Sequence, residues 1–143
     1  MGKLLEIRTF LDFLKKEGKA KLVTIKHDEI IEKAFRVMME NKYSQLPVIK
    51  KDRIIGVVSY ESVGNTIFSL IENKRTAGSK FKTEDFMERI SGVFDREDDL
   101  LSLLDVLAEK SYVLIKNGSR IMDIITGYDA LKFFRTREED TAH

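Results

Sequence analysis

The chain has 143 residues, of which 43% are hydrophobic, and its 25 basic and 24 acidic residues leave a net charge of +1. This length suits one compact domain, and so balanced a charge disfavours a dedicated nucleic-acid binder, which usually carries a basic excess. Cysteine is absent, which excludes disulfides and thiolate metal sites and favours a cytoplasmic setting, and no apolar run approaches the ~20 residues that span a membrane.

The first segment, residues 1–18, predicts a helix that ends at Gly18. Its apolar residues recur with a helical period: Leu4, Ile7, Leu11 and Leu14, with Phe10 and Phe13 beside them. We expect this helix to pack into the core or into a dimer.

Residues 19–72 predict the element order β-α-β-β-α. The elements are a short strand at 22–25, a helix over about 28–42, strands at 46–49 and 54–58, and a helix from Ser59 to about Glu72. The two strands are separated by a predicted hairpin turn at Lys50-Lys51-Asp52.

The same order returns in residues 88–136, after a polar linker and lead-in at 73–87 that contains Gly78. A strand at 92–94 precedes a helix capped by Asp98 or Asp99. Strands at 112–115 and 121–125 flank the turn signal Asn117-Gly118, and Thr126 begins the last helix. The second copy is about one helical turn shorter, near residues 109–111, and residues 137–143 form a charged tail.

The repeated order resembles a tandem pair of CBS (cystathionine-β-synthase) motifs, a Bateman module, over about residues 18–136. The signature Gly–apolar–apolar–Thr/Ser–x–x–Asp stands here as Gly56-Val57-Val58-Ser59-Tyr60-Glu61-Ser62 and as Asp123-Ile124-Ile125-Thr126-Gly127-Tyr128-Asp129. The strand Leu46-Pro47-Val48 and the lead-in Asp85-Phe86-Met87 also match. The resemblance implies an α+β fold in which two β-α-β-β-α motifs pack about a pseudo-twofold, with an N-terminal helix added.

Three positions depart from the family pattern. Leu114 stands in the second copy where the first has Pro47, Ser62 replaces the aspartate, and Asp123 replaces the glycine. Aspartate is unusual inside a strand, so Asp123 either meets a basic residue across the module or lies at an exposed edge.

Asp129 is the residue to which the resemblance gives a ribose-binding role. Thr126 stands where a strand becomes a helix, and the free N–H groups there attract phosphate. A carboxylate one turn later can accept hydrogen bonds from both hydroxyls of a ribose. The alternative is an ordinary helix start, where aspartate is favoured by the helix dipole.

In CBS pairs the ligand site combines residues of both copies. The implied set here is Thr126, Asp129, Ile124, Lys21, Val23, Ser44 and Gln45. Val23 and Ile124 would sandwich an adenine ring, and backbone groups near Val23 and Ser44 would read its edge. Lys21 or Lys42 would reach phosphates, or these lysines are ordinary surface residues.

The mirror site would consist of Ser59, Ser62, Val93, Ser111 and Tyr112. Ser62 is short and uncharged and cannot clamp a diol, so we expect this site to be empty, weak or used for another ligand.

The resemblance therefore implies a regulatory module that senses AMP, ADP, ATP or an adenosyl compound such as S-adenosylmethionine and signals to a partner protein. We expect a homodimer formed through the helices around residues 63–70 and 130–134. No nucleophile with a paired base, metal-ligand cluster or phosphate-binding loop indicates an enzyme. The alternatives are a ligand-free dimerisation module and a transcription-associated adaptor. Only Lys50-Lys51-Asp52-Arg53 supports the adaptor, and a hairpin turn explains that stretch better.

Overall fold

The structure, a computed structural model, describes residues 5–19, 21–73 and 81–142. Its helices are α1 (Ile7–Lys16), α2 (Ile31–Asn41), α3 (Tyr60–Glu72), α4 (Leu100–Leu107) and α5 (Gly127–Ala142). Its strands are β1 (Ile25–Lys26), β2 (Gln45–Lys50), β3 (Arg53–Ser59), β4 (Glu88–Arg89), β5 (Val93–Asp95), β6 (Tyr112–Asn117) and β7 (Arg120–Thr126). The α+β class and the doubled β-α-β-β-α order are confirmed. Most of the predicted linker, including Gly78, lies outside the described residues.

The chain divides into two compact units, one of which is built from two segments that are far apart in the sequence. The first-repeat unit is Val23–Ile90, and the second-repeat unit joins Met1–Leu22 to Ser91–His143. The N-terminal helix α1 therefore belongs with the second repeat, from which the whole first repeat separates it in sequence.

The first-repeat unit contains a four-stranded sheet in the order β1-β2-β3-β4, with β1 parallel to β2 and the other pairs antiparallel. The turn between β2 and β3 is the predicted hairpin, in which Lys51 and Asp52 both adopt positive φ. Aliphatic side chains of α2 and the central strands form the core, among them Ala34, Met38, Leu46, Val48 and Val58.

Strand β4 was not predicted from the sequence, because two residues are too few to show the alternation of apolar and polar residues that indicates a strand. It pairs with β3 so that Gly56 lies opposite Arg89 and Val57 opposite Glu88. A Cβ on Gly56 would lie 2.5 Å from the carbonyl oxygen of Glu88, a distance that real side chains do not tolerate. Glycine at this position is therefore what allows β4 to approach the sheet.

The second-repeat unit contains a three-stranded sheet in the order β5-β6-β7 with the same pattern of parallel and antiparallel pairs. Its core combines α1 with α4 and the sheet, through Ile7, Phe10, Leu14, Leu100, Leu103, Val113, Ile115 and Ile125. Helix α4 has 8 residues where α2 has 11, which is the missing turn that the sequence indicates.

Helix α5 extends to Ala142, so the prediction of a separate tail at 137–143 is wrong at that boundary. The segment Arg135-Thr136-Arg137-Glu138-Glu139 contains mostly good helix formers, which continue the helix. Within the described ranges, no helix combines the length and the apolar character that crossing a membrane requires.

Candidate ligand-binding site

The junction between β7 and α5 holds Thr126 and Asp129 in mutual contact. Oδ2 of Asp129 accepts hydrogen bonds from the Thr126 backbone N–H at 3.0 Å and from the Thr126 hydroxyl at 3.3 Å. In return the Asp129 N–H lies 3.5 Å from Oγ1 of Thr126. The carboxylate thus helps to fix the start of α5, as expected if Asp129 belongs to an ordinary helix start.

A lysine that the sequence analysis did not select completes this junction. The Lys19 ammonium lies 3.1 Å from Oδ2 of Asp129 and 3.3 Å from Oδ1 of Asp123, and it donates to the Ile124 carbonyl at 2.6 Å. The side chains of Lys19, Asp123 and Asp129 are 23%, 24% and 13% exposed. Lys19 therefore joins the chain after α1 to both the last strand and the last helix.

The two oxygens of Asp129 are not equally engaged. The contacts of Thr126 and Lys19 all fall on Oδ2, and the described part of the chain provides no hydrogen bond to Oδ1. This oxygen is available to accept a ligand hydroxyl, while a second hydroxyl would compete with Lys19 for Oδ2.

Asp123 has a different role from the residue at the same position of the first-repeat sheet. The strand registers make Asp123 the equivalent of Gly56, since Asp123 lies opposite Ile115 and Gly56 opposite Val48. A Cβ at Gly56 would collide with Glu88 of β4, so the first-repeat unit requires glycine where the second-repeat unit has this carboxylate. Burial raises the pKa of Asp123 and the nearby Lys19 ammonium opposes that rise, so Lys19 helps to keep this carboxylate charged. Asp123 thus meets a basic residue, as one of the two expectations required, but its partner Lys19 belongs to the same unit.

The mirror junction in the first-repeat unit satisfies its own polar groups. The Ser59 hydroxyl accepts from the Ser62 N–H at 3.0 Å, and the Ser62 hydroxyl accepts from the Ser59 N–H at 2.8 Å. The Ser62 hydroxyl also donates to the Ser59 carbonyl at 3.0 Å, and both serines are buried. These hydroxyls form a closed capping box with no charge to offer a diol.

The remaining predicted residues divide between the two units. In the first-repeat unit, Gln45 pairs with Ser59, the Ser44 carbonyl accepts from the Tyr60 N–H at 3.4 Å, and Val23 packs against the core. Ser44 and Gln45 thus lie beside the serine junction.

In the second-repeat unit, Tyr112 pairs with Thr126 and Val93 with Leu114, while Ser111 and Lys21 are exposed. Lys42, at the end of α2, is exposed as well. The combination of residues from both repeats into one site stays a prediction. Among the residues that the structure describes, no group of three His, Cys, Asp or Glu is placed to hold a metal ion.

Comparison with known proteins supports the repeat assignment. Residues 18–63 match the model of the CBS domain family, and no curated protein matches the chain. The structure of CBSX2 in complex with AMP is similar, with 17% identity and a TM-score of 0.73, covering 93% of this chain and 98% of that one.

Two further solved structures share the fold over nearly their whole length. An uncharacterized conserved protein from Pyrococcus horikoshii is 23% identical with a TM-score of 0.71, covering 94% of this chain and 96% of that one. A hypothetical conserved protein from Geobacillus kaustophilus is 20% identical with a TM-score of 0.72, covering 94% of this chain and 99% of that one. At these identities the likeness establishes the fold.

Proposed function

We propose that this chain, a tandem pair of CBS motifs, is a regulatory module that binds an adenosine-containing ligand at the Thr126–Asp129 junction. The observation that carries the proposal is the half-engaged carboxylate of Asp129, whose Oδ2 is fixed by Thr126 and Lys19 while Oδ1 is free of partners in the described residues. A carboxylate held in this way is preorganised to accept a ribose hydroxyl. The AMP complex of CBSX2, which has the same fold, supports the ligand class.

In the proposed complex, each residue has a defined task. Asp129 accepts the ribose hydroxyls, Val23 and Ile124 enclose the adenine, and backbone groups near Val23 and Ser44 read its edge. Lys21 or Lys42 reaches the phosphates as a point charge. Lys19 enters this set from the structure, because a diol that engages both oxygens of Asp129 displaces the Lys19 ammonium from Oδ2. Ligand occupancy would then alter a surface that a partner protein reads, with no catalytic step.

Ligand binding is expected to raise the melting temperature. A ligand that binds only the folded state stabilises it by about 2.7 kcal/mol at one hundred times its dissociation constant. Thermal-shift assays with AMP, ATP and S-adenosylmethionine measure this effect, and the matched 2′-deoxy and 3′-deoxy nucleotides serve as controls because they lack one ribose hydroxyl. If no adenosine compound stabilises the protein at millimolar concentration, the ligand-free dimerisation module becomes the better description.

The proposal includes a homodimer. Helix α3 exposes Ile67, Phe68 and Ile71, and α5 exposes Leu131 and Phe134, each by 44% or more. Apolar side chains so concentrated on single helices are typical of surfaces that bind another protein chain, and a second copy is the simplest occupant. Light scattering at micromolar concentration is expected to give a dimer mass, and a monomer mass would contradict this part of the proposal.

A further inference from the structure

A cavity of 390 Å³ lies in the second-repeat unit between α1, the loop after β5 and the start of β7. Its charged lining consists of Arg8, Lys15, Lys19 and Arg96, together with Asp12 and Asp123. Leucines of α1 and Met122 provide an apolar wall. The volume lies at the small end of the range for ligand pockets, about 300–1,000 Å³.

Two of the four cationic side chains have no counterion among the residues that the structure describes. Arg8 pairs with Glu97, and Lys19 pairs with the carboxylates of Asp123 and Asp129. Across the three described ranges, neither Lys15 nor Arg96 has a carboxylate oxygen within 4.0 Å. The lining side chains carry four positive and two negative charges, the carboxylates of Asp12 and Asp123 included. An excess of positive charge in a concave, partly apolar setting focuses the field and attracts anions.

Backbone hydrogen bonds connect the two segments of the chain that carry these cations. Arg8 and Lys15 are seven residues apart on α1 and therefore share one helical face. The Arg8 N–H donates to the Arg96 carbonyl at 2.9 Å, and the Ile7 N–H donates to the Asp98 carbonyl at 2.9 Å. These bonds fix the loop that carries Arg96 to the first turn of α1.

We propose that this cavity binds a small phosphate-bearing anion. The planar guanidinium of Arg96 can bind two phosphate oxygens at once, while the Lys15 ammonium acts as a point charge. A diphosphate group suits the small volume and the two unpaired cations, and the apolar wall accommodates an organic substituent. The cavity shares Lys19 with the proposed adenosine site, but the proposal rests on Lys15 and Arg96, which have no part in that site.

Calorimetric titration with inorganic pyrophosphate at constant ionic strength tests the proposal. The parent protein is expected to bind saturably, and Arg96→Gln and Lys15→Gln are each expected to weaken binding about tenfold. Lys16→Gln is the matched control, because Lys16 is the neighbouring exposed lysine of α1 and does not line the cavity. It should leave the affinity unchanged.

The other outcomes overturn the proposal in distinguishable ways. An absence of saturable binding by the parent would mean that the cavity is no anion site. An equal loss with Lys16→Gln would mean that the anion samples the basic surface in general. The pyrophosphate test is independent of the adenosine proposal: if adenosine compounds fail to bind at Asp129, saturable pyrophosphate binding would still support the cavity as an anion site.

Discussion

Replacement of Phe10 by alanine is expected to destabilise the second-repeat unit by about 3–5 kcal/mol. Phe10 is fully buried in the core that α1 shares with α4 and the sheet. Its ring meets Phe133 edge to face, with ring centroids 5.1 Å apart, so truncation removes a large apolar surface and an aromatic pair together. Chemical denaturation followed by circular dichroism measures the loss.

Thr9→Ala provides the control for Phe10→Ala on the same helix. Thr9 is exposed, so its replacement is expected to change the free energy of unfolding by less than about 0.5 kcal/mol. Similar small effects from both variants would show that α1 is a peripheral appendage, against the shared core described above.

Removal of the Asp129 carboxylate is expected to weaken adenosine-ligand binding by about 10- to 100-fold. A charge-assisted pair of hydrogen bonds contributes about 1.5–3 kcal/mol, which corresponds to that change in affinity. Asp129→Ala removes the group entirely, whereas Asp129→Asn keeps an oxygen to hold the Thr126 N–H and removes the charge. Calorimetry should give weakened binding in both variants, with the fold retained most fully in Asp129→Asn.

Ser62→Ala is the matched variant at the mirror junction. The hydroxyls of Ser62 and Ser59 each accept a hydrogen bond from the other residue's N–H. Loss of the Ser62 hydroxyl is therefore expected to cost about 1 kcal/mol of stability with little change in ligand affinity. Equal losses of affinity at Ser62 and Asp129 would show that both junctions bind ligand. Unchanged affinity in both Asp129 variants would place any adenosine ligand elsewhere on the protein.

The sequence predicts those features of the fold that depend on local patterns. Apolar alternation and turn chemistry locate β2, β3, β6 and β7, and the Ser59 and Thr126 junctions emerge from the repeated signature. The shortened α4 also follows from comparing the repeats. Each of these features is encoded by residues a few positions apart, which is why a single sequence carries the signal.

Other features depend on contacts between distant segments. No local pattern marks Glu88–Arg89 as a strand, and its presence depends on the space above Gly56. Lys19 is one of many lysines, and only the tertiary structure brings it to Asp123 and Asp129. The departure of Asp123 from the family glycine was the available hint, since a partly buried carboxylate requires a cation nearby.

The interleaving of the two units has a consequence for the order of events during synthesis. The first-repeat unit, residues 23–90, is complete while the second repeat is still being translated. Helix α1 is made before this unit, but its partners in β6, β7 and α5 emerge after it. Closing so long a loop costs little more than closing a shorter one, because the entropy grows only logarithmically with length. The main consequence is therefore a delay. Until the second repeat has been synthesised, Ile7, Phe10 and Leu14 lack the core that finally covers them.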